Sequence, residues 1–537
     1  MSRKGTQRGR DSARSQGEPP HPANARRAVW IALSLCTVLA LQLGMCWDKL
    51  RLPFLDTRLH YNYDNADFLF RARSGNRNGD GRSQFGVTVD AYTRWEERTG
   101  PASYNTDHPF LIRALFQQYT RIAGVGEWAS RAFYLGISFA VAAGLYALLL
   151  STTGQLLASL VGAAVLVSLP VFAVYQTCVK FETDGMLVSV WLFVALGAYF
   201  RSGRARPLAA LGALTALAFL THWTAILFVG TVLVWLLVVN LVRRDANARR
   251  ALLVMLLASL AGVLGLVFLM SYLQRGLQNV LTILTTAFGI RTAPIPLGTW
   301  WTRQWLYARL NFTDVLLGVV LIGGLALLLL RRRGRAERSL SLSFRVPDHG
   351  TFALCALTVA VVWIVLFRQG SFIHVYWQLW FSLPIAILIA ELLRSISHSR
   401  RGVTAGAAIV LVLLAILTVA SRKAYAAVLA DQLGTVADIT FLESLRGDRF
   451  RRFDYVSIRP TALDSWFQGP LFEYYTDRLV VVAESPGALR VGDEALVLRY
   501  VQRDAVAAAV ERWSGRALVH EKCGQRICAY DVVDSKK

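Results

Sequence analysis

Charged residues are scarce in this sequence of 537 residues. Asp, Glu, Lys and Arg make up 17% of it, whereas about 25% is usual in a soluble protein, and hydrophobic residues make up 54%. These proportions exclude the string of roughly three or four soluble domains that the length alone would suggest. They predict a polytopic membrane protein.

Other features are also missing. Six cysteines are too few for a disulfide scaffold, and they match no zinc-ligand spacing. There is no glycine-rich phosphate loop and hence no nucleotide-binding signature. The sequence has no convincing internal repeat, whereas transporters usually show one. The net charge of +23 does not indicate a nucleic-acid partner, because the arginines lie in short clusters between apolar runs and not on one continuous surface.

Eleven stretches are long and apolar enough to cross a bilayer, which takes about 20 residues for about 30 Å of hydrocarbon. They centre near Val38, Ala142, Ala164, Leu192, Ala213, Val232, Leu260, Val320, Val359, Ile387 and Leu411. Short loops rich in Lys and Arg stay cytoplasmic, so the arginine-rich N-terminal tail is predicted to lie inside. With eleven crossings, the arginine clusters at 201–206, 243–250, 331–338 and 394–401 then fall on the same side. This agreement supports the count.

The sequence divides into three parts. Residues 1–27 are predicted to be a disordered cytoplasmic tail, 28–420 a membrane domain with external loops at 48–130 and 274–311, and 421–537 a small extracytoplasmic α/β domain. The last part has strand-like runs at 455–458, 479–483 and 495–500, a helical stretch at 504–513, and strand candidates flanking Cys523 and Cys528. These two cysteines either form a disulfide or remain free thiols. The Ala-, Arg- and Leu-rich composition favours a bacterial plasma (inner) membrane.

Unusual polar residues gather on the predicted external side, where charged groups near a membrane often mark a site. In the first loop, NYDNADFLFRAR places Asp64, Asp67 and Arg71 on a predicted helix that is either part of a site or an ordinary amphipathic helix. Farther on, Pro109 in YNTDHPFLIRAL predicts a helix start, which leaves His108 near the helix N-terminus.

The remaining candidates belong to three further segments. Arg131 opens the second crossing, and YQTCVKFETDGM carries Lys180, Glu182 and Asp184, either as a site or merely for solvation. Two histidines stand beside aromatic residues, and GTWWTRQWLYARLNF predicts an interfacial helix that either holds a lipid phosphate or forms a plain aromatic belt. The residues singled out there are His222, His374, Tyr376 and Arg303.

In their order and shared sidedness, these motifs resemble the GT-C superfamily of membrane glycosyltransferases. The resemblance is to the branch of aminoarabinose transferases and protein mannosyltransferases that use polyprenyl-phosphate sugars. It covers roughly residues 30 to 395 and rests on residues 64–68, 108–111, 126–131, 182–184 and 374–376. The sequence departs from the family pattern at three positions: Asn65 replaces a second acid, Phe110 a common proline, and His222 a frequent lysine.

The resemblance implies the GT-C fold and transfer of a sugar from a polyprenyl-phosphate donor to a lipid, glycan or protein acceptor on the outer face. It implies that Asp64 is the general base, with Asp184 and His108 also catalytic. It assigns donor or phosphate binding to Asp67, Arg71, Arg131, Lys180, His222, Arg303, His374 and Tyr376. Asp64, Glu182 and Asp184 either bind a divalent cation or, in the case of the last two, orient Lys180.

The expected partners are the lipid-linked donor, its acceptor and the membrane, without nucleotide or nucleic acid, and the chain is expected to be a monomer. The alternatives are a lipid-sugar transporter or flippase, and a catalytically degenerate scaffold whose outer domain binds glycan.

Overall fold

A computed structural model describes most of the membrane part of the chain and parts of the C-terminal region. The described residues are 22–51, 63–78, 108–332, 347–396, 400–430, 436–446, 453–455, 474–476, 480–482, 494–498, 508, 511, 516–523 and 527–534. Most of the predicted cytoplasmic tail, residues 1–21, lies outside them. The helical stretch predicted at 504–513 is described only at 508 and 511, both of which are helical.

The described chain is mainly α-helical. The helices are α1 (Pro22–Arg51), α2 (Tyr63–Asn78), α3 (Leu111–Ala123), α4 (Glu127–Thr153), α5 (Leu156–Ser168), α6 (Pro170–Tyr175), α7 (Phe181–Ser202), α8 (Ala205–Thr221), α9 (Trp223–Arg243), α10 (Ala246–Gln274), α11 (Leu277–Arg291), α12 (Leu297–Phe312), α13 (Asp314–Arg332), α14 (His349–Leu366), α15 (Arg368–Ile373), α16 (Ser382–Ile396), α17 (Arg400–Ala430) and α18 (Val436–Ser444). A 3-10 helix, Val375–Phe381, joins α15 to α16.

Within the described ranges, eight spans are long and apolar enough to cross a membrane: α1, α4, α7, α9, α10, α14, α17 and the 3-10 helix together with α16. A ninth candidate is α12 with α13, which are bent by 94° at Thr313. All eleven predicted centres lie in helices. The difference in count comes from α5 and α8, apolar helices of 13 and 17 residues that are shorter than the shortest counted span, the 18-residue α14. The predicted polytopic helical architecture is confirmed.

Close helix packing holds the bundle together around a large apolar core. α7 is the most buried of the single-helix spans, and it contacts α4, α8 and α9. Gly185 in α7 lies so near Thr224 in α9 that a side chain at 185 would collide with the threonine hydroxyl. Small residues permit such close approach between membrane helices. The contact brings the N-terminal ends of α7 and α9 together.

The C-terminal part contains the strands expected from its apolar runs. β1 (Phe453–Tyr455), β2 (Val480–Val482), β3 (Glu494–Leu498), β4 (Arg516–Cys523) and β5 (Ile527–Asp534) form one mixed sheet in the order β2-β1-β3-β5-β4. β1 runs parallel to both β2 and β3, whereas β5 is antiparallel to β3 and β4. A disulfide joins Cys523 to Cys528 across the β4–β5 hairpin.

Two predicted domain boundaries differ from the helices observed. α1 already begins at Pro22, inside the predicted tail, because the apolar run at its centre continues as helix into the preceding polar residues. α17 continues past residue 420 to Ala430, so the membrane helix projects beyond its apolar segment toward the C-terminal domain. Hydropathy detects the apolar centre of a helix and not its polar ends.

Candidate active site

The first component of the site is an ion pair between two helix N-termini. Asp64 is the second residue of α2, and Lys180 immediately precedes α7. The ammonium nitrogen of Lys180 lies 2.5 Å from Oδ2 of Asp64. The lysine side chain is fully buried, whereas the aspartate side chain keeps 16% of its surface exposed. The accessible carboxylate therefore has a fixed cation beside it.

Asn65 explains why these two groups meet. Its side-chain oxygen accepts a hydrogen bond of 2.6 Å from the backbone N–H of Val179. Its amide nitrogen lies 3.5 Å from the carbonyl of Thr177. The amide thus joins the start of α2 to the segment that leads into Lys180. The residue that replaces a second acid is the one that fixes the ion pair in place.

Aromatic rings surround the ammonium group of Lys180. It lies 4.1 Å from the ring centre of Tyr376 and 5.6 Å from that of Tyr175. Such placement over ring faces stabilises a buried cation. The Tyr376 hydroxyl in turn lies 3.3 Å from Nδ1 of His374. The 3-10 helix thereby brings two of the predicted residues to Lys180.

His108 joins the cluster through a stack of rings. Its imidazole lies 4.2 Å from the ring of Phe181, which is almost parallel to it, and 5.3 Å from the imidazole of His222. Its Nε2 is 2.9 Å from Nη2 of Arg291, the last residue of α11. The guanidinium of Arg113 lies 4.7 Å from the Phe181 ring. A cluster of flat groups therefore connects α3, α7, α9 and α11.

Both His108 and His374 are held neutral. Burial lowers the pKa of His108 well below its ordinary value, and the positive charges of Arg291 and Arg113 lower it further. Burial lowers the pKa of His374 to about 3, with Lys180 and Arg291 adding to the effect. A neutral imidazole can accept a hydrogen bond from a guanidinium, which suits the contact between His108 and Arg291.

Two buried carboxylates complete the cluster. Glu182 and Asp184, in the first turn of α7, expose only 1% and 2% of their surface. Among the described residues, Oε2 of Glu182 and Oδ1 of Asp184 have no hydrogen-bond partner. Buried polar atoms without partners are rare in folded proteins and often mark a ligand site. They are acceptors positioned for a polar ligand.

The three acids predicted to bind a divalent cation do not form one ligand group among the described residues. No group of three or more His, Cys, Asp or Glu side chains in this part of the chain is arranged to hold a metal ion. Asp64 pairs with Lys180 and is not grouped with Glu182 and Asp184 around a common point.

The other sequence candidates lie in different surroundings. Asp67 pairs with Arg71 one turn along α2, at 2.6 Å, and burial raises the pKa of Asp67 against the opposing effect of Arg71. Arg131 is buried in α4 near Tyr474. The guanidinium of Arg303 stacks 5.3 Å from the ring of Tyr307 and 5.2 Å from that of Phe372.

Sequence reasoning missed Arg291 and Arg113. Arg291 ends an apolar helix and belongs to no motif, so only its placement next to His108 reveals it. Arg113 follows the His-Pro motif by four residues, on the face of α3 that also carries buried Phe116 and Gln117. The pattern that could have identified Arg113 is an arginine on the apolar face of a predicted amphipathic helix, where arginine is rarely found without a partner.

One face of α12 supports the segment before the 3-10 helix. Trp300, Gln304, Tyr307 and Asn311 recur at helical spacing and donate hydrogen bonds to Ser371 Oγ and to the carbonyls of Ser371, Phe372 and Val375, at 2.8–2.9 Å. The predicted aromatic helix is confirmed as a helix. Its inner face orients the His374 segment, while Trp301 and Trp305 are more than half exposed.

A lateral cavity of about 640 Å³ lies beside the site, between α12, α13, α14 and α16. Its wall is apolar apart from Gln304 and Gln378 near one end and Glu391 at the other. On α14 it extends from Gly350 to Val365, which corresponds to about 22 Å of helix. Asp64, His108, Asp184 and His374 do not line it. Gln378, which lines it, belongs to the same 3-10 helix as Tyr376.

Comparison with known proteins agrees with this architecture. Residues 107–273 match the model of the family described as dolichyl-phosphate-mannose-protein mannosyltransferase. ArnT from Cupriavidus metallidurans, whose crystal structure contains undecaprenyl phosphate, is 13% identical and superimposes with a TM-score of 0.58 over 93% of this chain and 97% of that chain. No curated protein sequence matches the chain significantly. The fold is similar to that of ArnT, and the GT-C fold predicted from the sequence is thereby confirmed.

Proposed function

We propose that this membrane protein is a glycosyltransferase that takes its sugar from a polyprenyl-phosphate donor. The observation that carries the proposal is the partly accessible carboxylate of Asp64 held 2.5 Å from the buried ammonium of Lys180. The match of residues 107–273 to a mannosyltransferase family and the ArnT-like fold support the same reaction class.

The chemistry requires a base and a cationic site for the leaving group. An acceptor oxygen attacks the anomeric carbon, its proton passes to Asp64, and the bond from that carbon to the phosphate oxygen breaks with both electrons leaving on the phosphate. Lys180 and Arg291 stabilise the negative charge of the departing polyprenyl phosphate. His108, held neutral, accepts from Arg291 and orients it. Because the attack proceeds from the face opposite the phosphate, we expect inversion.

Glu182 and Asp184 recognise the sugar in this proposal. Their unpaired oxygens lie at the start of α7, close behind Lys180. Sugar hydroxyls are natural donors to such acceptors, and a buried acceptor left without a donor costs about 1–3 kcal/mol. Binding of the correct sugar therefore removes an existing penalty.

The lateral cavity accommodates the lipid tail. An isoprenoid chain is apolar and flexible, which fits a cavity that is lined by aliphatic and aromatic side chains and follows α14 for about 22 Å. The tail stays at membrane depth while the phosphate reaches the Lys180 cluster past the 3-10 helix. Together with the predicted positive-inside topology, this proposal places the reaction on the outer face of a bacterial inner membrane, with the N-terminus cytoplasmic.

The test is transfer by the purified full-length protein in lipid nanodiscs. Polyprenyl-phosphate donors carrying radiolabelled pentoses and hexoses are offered with lipid, glycan and protein acceptors, and released polyprenyl phosphate and labelled product are measured. Asp64→Asn is expected to lower kcat at least about 100-fold, because it removes the proton acceptor almost without a change in volume. Asp314→Asn, at an exposed ion pair in α13, is the matched control.

Two outcomes would overturn the proposal. One is full activity of Asp64→Asn, and the other is the absence of transfer from any donor by well-folded protein. Movement of the lipid-linked sugar across proteoliposomes without an acceptor would favour the transporter interpretation instead.

A further inference from the structure

The helix that carries Asp64 is held at both ends. At its start, Asn65 bonds to the backbone at Thr177 and Val179. Near its end, Arg73 donates a hydrogen bond of 3.1 Å to the carbonyl of Tyr474, which belongs to the C-terminal domain. The same guanidinium lies 4.7 Å from the Tyr474 ring. Arg73 follows Asp64 by nine residues, or about 13 Å along α2.

The contact between Arg73 and Tyr474 is buried. Arg73 exposes 6% of its surface and Tyr474 exposes 4%. A hydrogen bond to a charged group contributes about 1.5–3 kcal/mol when it is protected in this way. The arginine also places its guanidinium flat over an aromatic ring, a geometry that a lysine does not reproduce.

Tyr474 and Tyr475 are themselves fixed to the start of α4. The Tyr474 hydroxyl donates to the carbonyl of Val125 at 3.3 Å, and the Tyr475 hydroxyl donates to Oε1 of Glu127. Burial, and to a smaller extent Glu127, raises the pKa of Tyr474 to about 12, so this hydroxyl stays protonated and remains a donor. Arg446 donates to the carbonyl of Tyr475 at 2.7 Å.

Apolar packing joins the same three parts. One buried cluster contains Phe68 and Phe70 of α2, Phe116 of α3, and Ile439, Leu442, Tyr474 and Tyr475 of the C-terminal part. The domain is thus continuous with the core behind the Asp64 helix. A shift of this domain would move α2 along or about its axis relative to Lys180.

We propose that Tyr474 and Tyr475 are positioning residues through which the C-terminal domain holds α2, and with it Asp64, in register with Lys180. The proposal gives this domain a part in catalysis without contact to the substrate. The expected loss of turnover rests on the proposed function, whereas the expected loosening of α2 does not. A misplacement of about 1 Å at reacting groups can cost about 100-fold in rate, so a loosened α2 affects turnover before it affects folding.

The experiment combines kinetics with hydrogen exchange of the full-length protein in nanodiscs. The variants are Arg73→Met, Tyr474→Leu, their double variant and Tyr475→Phe, which removes a single hydroxyl. Arg73→Lys is the conservative test, and Arg249→Met, at an exposed arginine in α10, is the matched control. Donor KM, kcat, melting temperature and the exchange of peptides spanning 63–78 are measured for each.

We expect Arg73→Met and Tyr474→Leu each to lower kcat about tenfold with donor KM unchanged, and the double variant to be little worse than either single one. Exchange in α2 should rise in both single variants, while α7 and α9 remain as in the parent. Arg73→Lys should recover only part of the loss, and Arg249→Met should lose nothing.

Unchanged exchange in α2 would overturn the positioning role, even if the protein transfers sugar as proposed. The positioning role would also be overturned if the variants lost only melting temperature, with additive losses in the double variant and an unchanged kcat. That result would indicate a purely structural contact. If the parent protein transfers no sugar but α2 still loosens in the variants, the proposed function fails while the positioning by Tyr474 and Tyr475 stands.

Discussion

Lys180 and Asp64 form an ion pair of 2.5 Å across 116 positions of sequence. The lysine is completely enclosed, with the Tyr376 ring 4.1 Å away, whereas the aspartate keeps an accessible edge. A buried cation needs a counter-charge, and a donor phosphate would provide a second one. Lys180 therefore connects the candidate base with the candidate leaving-group site.

Replacement of Lys180 should abolish most of the activity. Lys180→Met retains a stem of similar length but leaves Asp64 without its partner and the phosphate without one cation. Loss of one group that stabilises transition-state charge typically costs about 100- to 1,000-fold in kcat. Steady-state transfer kinetics measure the effect. Lys423→Met, at an exposed lysine of α17, should behave like the parent protein, and similar activity in both variants would contradict the role of Lys180.

Asn65 should prove necessary for alignment. Asn65→Leu keeps the branched shape of the side chain but leaves the N–H of Val179 and the carbonyl of Thr177 without their side-chain partner. The cost should be about 1–3 kcal/mol in the free energy of unfolding, and kcat should fall with little change in donor KM. Melting temperature and transfer kinetics test both parts.

The control for this substitution is Asn279→Leu, which removes a hydrogen bond on the exposed surface of α11. It should be neutral within about 0.5 kcal/mol. An Asn65→Leu protein with the stability and the kcat of the parent would show that the amide does not fix the ion pair.

Much of the fold was predictable because a local sequence pattern indicates most of its helices and strands. All eleven predicted crossings fall in helices, since an apolar run of that length has few other stable forms in a bilayer. The predicted strands at 455–458, 479–483 and 495–500 overlap or adjoin β1, β2 and β3, because β-branched runs favour extended structure. The limits of the helices, the bend at Thr313 and the strand order of the C-terminal sheet required the tertiary structure.

The acids and histidines of the candidate site were predictable from the sequence, but which side chains pair with each other was not. Asp64, His108, Lys180 and His374 do converge, yet no spacing indicates that the partner of Asp64 is Lys180. Arg303 was favoured because of its aromatic neighbours in the sequence, and it stacks on one of them, Tyr307, and on Phe372 of α15. Arg291 reaches His108 from the end of a plain apolar helix, a contact created only by tertiary packing.

Acid should destabilise the protein through His108 and His374. In the unfolded chain each histidine titrates near about 6.5. In the folded protein the pKa of His374 is about 3 and that of His108 is well below its usual value. Between the folded-state and unfolded-state pKa values, the unfolded state binds more protons than the folded state. The contribution of each histidine to the free energy of unfolding is therefore fully present above about pH 6.5 and falls as the pH decreases, by about 1.4 kcal/mol per pH unit.

Melting temperatures in detergent between pH 7.5 and 5 measure this effect. The charged groups that disfavour the protonated form are Arg291 and Arg113 at His108, and Lys180 and Arg291 at His374. His374→Phe removes one titrating group, so the slope of stability with pH in this range should decrease by about half of the two-histidine contribution. An unchanged slope would show that His374 binds protons equally in the folded and the unfolded protein, and would contradict its lowered pKa.

The length of the donor's isoprenoid chain should matter, because the lateral cavity offers about 640 Å³ of apolar space. Leu357 of α14 lines this cavity, and 41% of its surface is accessible. Leu357→Trp places an indole across the path of the tail, so KM for a long-chain donor should rise about tenfold or more while KM for a donor with a two-unit chain stays the same. The control is Leu257→Trp, the same substitution on the exposed face of α10, where Leu257 is 58% exposed and does not line the cavity. Equal effects of Leu357→Trp on long- and short-chain donors would place the tail elsewhere, since only an occupant of the cavity can detect the added ring.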